Sequence, residues 1–386
     1  MPAELLIAAG PGEWRAVLVE GGAAVELYVE RGEGREAGSL HLGRVLRLVP
    51  NLSAALVDIG DERPAFLPLG EVVPRGARLD EGARVLVQIR REAQAGKAAR
   101  LTMRPSLPEA HRHAIERRAA ALEPPARLDP ASGFAVGLAR ALPQEPQRVA
   151  ADDRAAIPEL RAAFPAAEVA YLAPPDWPLD PEALFDAALL PSLALPGGGA
   201  LHIETTQAAT LIDVDSGGAA ALPANLEAAA AIARELRRRN IGGGIVVDFI
   251  GLDSRQQRER LRAALARALA PDPAQPRVLG WTRLGHLELV RPRRGRPLAE
   301  ALLERSQAAL VKTAATIAFE ALRTVAREAR AEPHRGWRLT LAPAVAASLR
   351  GPAAAALAGL EQRLGRRIEI AAEPALERER FQLSPL

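Results

Sequence analysis

Leu211-Ile212-Asp213-Val214-Asp215-Ser216-Gly217 and Ile245-Val246-Val247-Asp248-Phe249-Ile250 decide the fold. Each is an apolar, β-branched run ending in an acid, the pattern of a strand that stops at the rim of a sheet. Between them, Asn225 stands where it would cap a helix running to about Arg239. Glu227 falls in its first turn and arginines in its last, and both complement the helix dipole. Gly242-Gly243-Gly244 ends that helix. Strand, helix, strand, with an apolar second strand, predicts an α/β core. A strand-end carboxylate in such a sheet faces the crevice where ligands bind. Two of them suit Mg²⁺, which takes one or two carboxylates and keeps several waters. That chemistry serves phosphodiester hydrolysis, because the ion polarises the phosphoryl oxygen and activates water. From spacing alone, solvated turn residues or helix caps read the same way.

Outward from this core, 195–199 is a glycine-rich turn, and 200–204 and 208–214 predict a hairpin. Beyond the Asp248 run come a helix over 254–269 and strands over 278–281 and 286–290. A helix over 298–332, with a break, follows. A strand over 337–341, a helix over 343–364 and a strand over 367–371 close the chain. Residues 105–196 are Ala- and Pro-rich and least informative, apart from a helical pattern over 108–122. Short strands spaced across 37–103 predict a small closed barrel. Residues 3–30 read as two or three strands punctuated by Gly10-Pro11-Gly12 and Gly21-Gly22.

Composition narrows the classes. At 386 residues the chain is too long for one ordinary domain. Cysteine is absent, which excludes disulfides and thiolate metal sites. Lys97 and Lys312 are the only lysines among 50 Lys and Arg, and the net charge is +3. That charge allows a polyanionic partner without arguing for one. No signal peptide and no membrane span is expected, in keeping with a cytoplasmic location.

The flanking residues carry a resemblance. Leu211 to Gly217 resembles the Ile-Asp-Val-Asn-Ser-Gly motif of the ribonuclease E/G family. The run from Asn225 to Arg237 resembles the helix that follows it there. Gly242-Gly243 with Ile245 to Ile250 resembles the family's second metal motif. Ala3 to Ile7, Gly43-Arg44-Val45, Ala54 to Gly60 and Leu341-Ala342-Pro343 extend the likeness over most of the chain. Residues 105–195 match poorly.

The resemblance implies an RNase H-like part (1–36 and 104–196) split by an S1-type OB-fold barrel (37–103). A DNase I-like α/β catalytic domain (197–310) and a small C-terminal α+β domain (311–386) follow. It implies a Mg²⁺-dependent endoribonuclease that hydrolyses single-stranded RNA in rRNA or mRNA processing, with a metal-activated water as nucleophile. One Mg²⁺ would lie on Asp213 and Asp248, with Asp215 assisting. The alternative is an RNA-binding relative with little or no cleavage. Phe66 and Lys97 fall where the family's barrel binds RNA, although Phe66 reads equally as barrel core. Arg291 and Arg293 lie in a stretch, with Arg283 and Glu288, that is similar to another conserved run. Either arginine is a phosphate contact or part of a solvated basic strand end.

Departures are specific. Asp215 replaces the usual Asn, Leu56 replaces a second aromatic, and Gly137-Leu138 replaces the Arg-Thr pair that senses a 5′-phosphate. Glu304 to Ala309 replaces the cysteine zinc link. No zinc and no zinc-linked dimer is expected, which leaves a monomer or another homo-oligomer.

Overall fold

The computed structural model describes residues 3–31, 38–61, 63–74, 78–91, 93, 98–105, 109–128, 133–306 and 309–386. The chain forms two compact units, Met1–Arg31 with Leu138–Leu386, and Gly32–Gly137. It is a mixed α/β, multidomain protein.

The site lies on a six-stranded sheet of the first unit. Its order is Ser192–Ala194, Ala200–Thr205, Thr210–Asp215, Gly243–Asp248, Leu287–Arg291, Arg277–Trp281. Only the Thr210–Asp215 and Gly243–Asp248 strands are parallel neighbours. Their connection is the helix Ala221–Arg238, the crossover that a parallel pair requires. Strict alternation sets the two faces. Ile212 and Val214 are buried while Leu211, Asp213 and Asp215 are exposed.

The buried face is covered by two helices. Ala228, Ala229 and Ala231 let the first approach closely, and Ile232 and Leu236 fill the gap. The second, Arg255–Leu269, buries Leu261, Leu265 and Leu269, one stripe at four-residue spacing. Its start is fixed by Ser254, whose Oγ accepts the Gln257 N–H at 3.0 Å.

The first helix differs from the sequence reading. It begins at Ala221, so Asn225 sits inside it rather than at its cap. The reason is tertiary. Asn225 is fully buried, donates to the Ile250 carbonyl at 2.7 Å and accepts the Ile250 N–H at 3.0 Å. Glu227 likewise leaves the first turn and accepts the Gly197 N–H at 3.0 Å.

A second sheet in this unit has the order Glu168–Tyr171, Arg148–Ala151, Ala3–Ala9, Trp14–Glu20, Ala23–Glu30. The first three strands are parallel, and the last two run antiparallel to them in turn. A third joins Trp337–Leu341 to Glu369–Ala372 and Phe381–Pro385. The expected long helix over 298–332 is three elements. Leu298–Leu302 is helical, Leu303–Ser306 and Ala309–Lys312 form a hairpin, and Ala314–Ala331 is the long helix. Gln307 and Ala308 lie outside the described residues. The expected helix over 343–364 is two, Pro343–Ser348 and Ala354–Leu364, divided at Gly351-Pro352. No described helix is long and apolar enough to cross a membrane.

The second unit holds a closed five-stranded barrel. Leu40–Val49 pairs with both Ala54–Asp58 and Arg84–Arg91, which seals the circuit through Ala65–Pro68 and Arg100–Thr102. Val45, Val57, Leu67, Val87, Ile89 and Leu101 are among the residues that fill it. Gly43 has no room for a side chain, since a Cβ there would meet Val57 Cγ1 at 2.5 Å.

Candidate active site

Asp213 and Asp248 are register partners on the two parallel strands. Adjacent strands lie about 4.8 Å apart. Both side chains project from the open face of the sheet, and no described arginine pairs with either. Asp215 is two residues along the same face, opposite Ala200. Its Oδ1 accepts the Gly217 N–H at 3.0 Å, an Asx-type turn that reverses the chain just after the strand.

Two latches hold the strand ends. The Leu195–Gly199 turn packs onto residues 215–217 so tightly that only glycine fits. A Cβ on Gly199 would come within 2.2 Å of the Asp215 carbonyl, and one on Gly217 within 1.9 Å of the Gly198 carbonyl. Glu227 fixes that turn through Gly197, while Asn225 clamps the backbone two residues beyond Asp248. The carboxylates therefore stand on rigid strands whose exits are hydrogen-bonded into the helix below.

The two acids fit a hard divalent ion. They are adjacent and solvent-facing, and no described lysine or arginine pairs with them; Mg²⁺ needs only one or two carboxylates besides water and phosphate oxygens. No three His, Asp or Glu side chains among the described residues form a closed metal cage. The site is open on the side where a substrate would approach.

The remaining candidates separate. Arg291 is 2% exposed, and its Nε donates to Asp272 Oδ2 at 2.6 Å. Its other nitrogens donate to the Ile241 carbonyl at 3.0 Å and Asn240 Oδ1 at 3.2 Å. This corrects the expectation of an RNA contact, because the guanidinium points into the interior and is engaged there. Arg293 is exposed and lies over the backbone of Gly242 and Gly243. That is the opposite end of the Asp248 strand, roughly 16 Å from the acid at 3.3 Å per residue.

Phe66 lies on the outer surface of the barrel, between buried Ala65 and Leu67. Register aligns it in a row, Arg47, Leu56, Phe66, Arg100, Arg91. Lys97 lies outside the described residues. Leu138, at the position of the missing end-sensing pair, is buried.

Sequence reading overlooked His202 and His286. His202 is opposite Asp213, and His286 Nε2 is 3.6 Å from Asp248 Oδ2. The signal was alternation. His202 lies between Leu201 and Ile203, which are buried, and His286 precedes buried Leu287, so both imidazoles fall on the face of the acids.

Fold and site together define a multidomain α/β protein with a β-barrel unit and an open, paired-carboxylate site at strand ends. The profile of the ribonuclease E/G family matches residues 179–294, which span the whole carboxylate sheet. The chain is 26% identical to ribonuclease G of Escherichia coli K12, over 99% of each chain. It is also 26% identical to ribonuclease G of Haemophilus influenzae, over 98% of this chain and 99% of that one. Ribonuclease E of Synechocystis is 44% identical over 121 residues, 29% of this chain and 18% of that protein. The chain is thus similar to the ribonuclease E/G family across its carboxylate sheet and to ribonuclease G over nearly its whole length.

Proposed function

We propose that this protein is a cytoplasmic, Mg²⁺-dependent endoribonuclease that hydrolyses phosphodiester bonds of single-stranded RNA during RNA processing. The observation that carries the reading is the register pairing of Asp213 with Asp248 on an open sheet face. The likeness to that family supports the substrate class, since the relatives matched over nearly their whole length are ribonucleases by name. The carboxylate sheet is read as the DNase I-like catalytic domain. The sheet through Ala3–Ala9 is read as the RNase H-like part, the barrel as the S1-type module, and the Trp337–Leu341 sheet as the small C-terminal domain.

Asp213 and Asp248, register partners on neighbouring strands, would hold the cation. When bound, such an ion would supply Lewis acidity toward the phosphoryl oxygen and lower the pKa of a coordinated water. Asp215, fixed by its turn to Gly217, keeps a carboxylate beside the pair and orients water or phosphate there. The barrel row offers Phe66 and Leu56 as an apolar strip for bases, flanked by Arg47, Arg91 and Arg100 for the backbone. Phe66→Ala is expected to weaken binding of a single-stranded oligonucleotide by about 1–3 kcal/mol, the usual loss for one stacked base, measured by fluorescence anisotropy.

Purified protein with Mg²⁺ should cleave single-stranded RNA. Asp213→Asn and Asp248→Asn should each slow cleavage by about 100-fold or more while leaving RNA binding nearly intact. Wild-type rates in either variant would sink the reading. Tight binding without cleavage by the wild-type protein would instead make it an RNA-binding relative. Asp215 motivates that second outcome, because its charge adds repulsion toward a phosphate.

A further inference from the structure

The row of side chains through the two acids continues past them. Ser192 is opposite His202, and its Oγ lies 2.8 Å from His202 Nδ1. His202 is opposite Asp213, and Asp213 is beside Asp248. Val247 pairs with Leu287, which sets His286 across from Asp248. One polar line thus crosses the sheet, with an imidazole outside each carboxylate.

His286 is held firmly. Its backbone N–H donates to Thr282 Oγ1 at 3.1 Å, and its carbonyl accepts the Thr282 N–H at 2.8 Å. These bonds close a tight reversal in which Gly285 takes φ +94°. The imidazole is one-third exposed, and the Asp248 carboxylate is 59% exposed. The 3.6 Å between Nε2 and Oδ2 is slightly beyond hydrogen-bond length. A small rotation of the exposed carboxylate closes it.

On the reading of Asp213 and Asp248 as metal carboxylates, we propose that His286 is a positioning residue for Asp248. Its Nε2–H holds one carboxylate oxygen and leaves the other for the cation. An exposed Asp at a strand end otherwise samples several rotamers, and ordering it on binding weakens affinity. A neutral imidazole in the Nε2–H tautomer suffices, so no change of charge is involved. Outer partners of metal-ligating side chains typically contribute 10- to 100-fold in metal affinity or activity.

The test uses the full chain without RNA and Mn²⁺ as the probe, with free Mn²⁺ read by electron paramagnetic resonance. His286→Leu should weaken Mn²⁺ binding by about 10-fold or more with an unchanged thermal midpoint. His286→Gln, whose side-chain N–H reaches a similar point, should recover most of that loss. Unchanged affinity in His286→Leu overturns the proposal. An equal loss in the Leu and Gln variants also overturns it, since a purely structural role gives no rescue. Asp213→Asn and Asp248→Asn serve as the separate arm. If they retain Mn²⁺ binding, the carboxylate reading itself fails, whereas loss there with no effect at His286 rejects only the positioning role.

Discussion

Arg15, Arg237, Arg291 and Arg323 are all buried and all engaged by carboxylates. No described arginine pairs with Asp213 or Asp248, which separates the acids that hold the fold from the two proposed to hold a cation. Arg291 shows what that means for mutagenesis. Arg291→Ala leaves Asp272 charged and buried at 4% exposure. It should cost roughly 3–5 kcal/mol of stability by denaturant unfolding. The double variant with Asp272→Ala should regain part of that loss, whereas a residue acting only on RNA would leave the unfolding curve in place. Arg291 and Arg293 look alike in the sequence. One clue was legible, because Arg291 continues the phase of Leu287 and Leu289, the buried side of its strand. Its partner, Asp272, was not legible, since it comes from the loop after a helix and is set by packing.

At the scale of elements, the site depends on a glycine turn that docks against a strand end. Gly217 has φ +57°, and any Cβ there strikes the Gly198 carbonyl. Gly217→Ala should lower stability by at least about 1–3 kcal/mol and weaken metal binding with it. Gly218→Ala meets nothing within 4 Å and pays only for its positive φ, so it should be milder in both respects. Thermal melts and Mn²⁺ titration of the two variants check this. The strands carrying the acids were legible because alternation is local. The hairpin at Leu303–Lys312 was not, because its residues suit a helix equally well and their β form is fixed by pairing. A restart signal was nonetheless present. Thr313 caps the following helix by accepting the Thr316 N–H at 3.0 Å.

Across the first unit, one ion network ties distant parts of the chain together. Glu13 is fully buried and bonds Arg323 at 2.6 Å, Arg31 at 2.7 Å and Arg15 at 3.1 Å. Glu182 joins through Arg15 at 2.7 Å and Arg323 at 2.9 Å. Burial alone would raise the Glu13 carboxyl, but Arg323, Arg15 and Arg31 outweigh it and hold it at about 2. Glu182 is lowered in the same way against its burial, chiefly by Arg323 and Arg15. A depressed acid stabilises the fold fully above its unfolded value, near 4.5 here, and loses that contribution as pH falls through about 2. For Glu13 this amounts to roughly 3 kcal/mol. Denaturant unfolding between pH 5 and pH 2 should show that loss in the wild type and a flatter profile in Glu13→Gln. A profile of equal slope in both would contradict the assignment. None of these pairings was visible in the sequence, where Glu13 and Arg323 are simply two charged residues 310 positions apart.

That separation also orders events in time. The Ala3–Ala9 strand needs Arg148–Ala151 as its parallel neighbour, and Glu13 needs the helix Ala314–Ala331. A ribosome delivers Glu13 long before Arg323, so the local strands Ala3–Ala9, Trp14–Glu20 and Ala23–Glu30 can pair early while the buried ion network closes late. The Ala221–Arg238 helix beneath the carboxylates is tied to those same early strands, through Arg237 to Glu20 at 2.6 Å and Glu26 at 2.5 Å. The helix beneath the carboxylate strands is thus anchored on early strands whose own buried ion network closes only once the Ala314–Ala331 helix has been made.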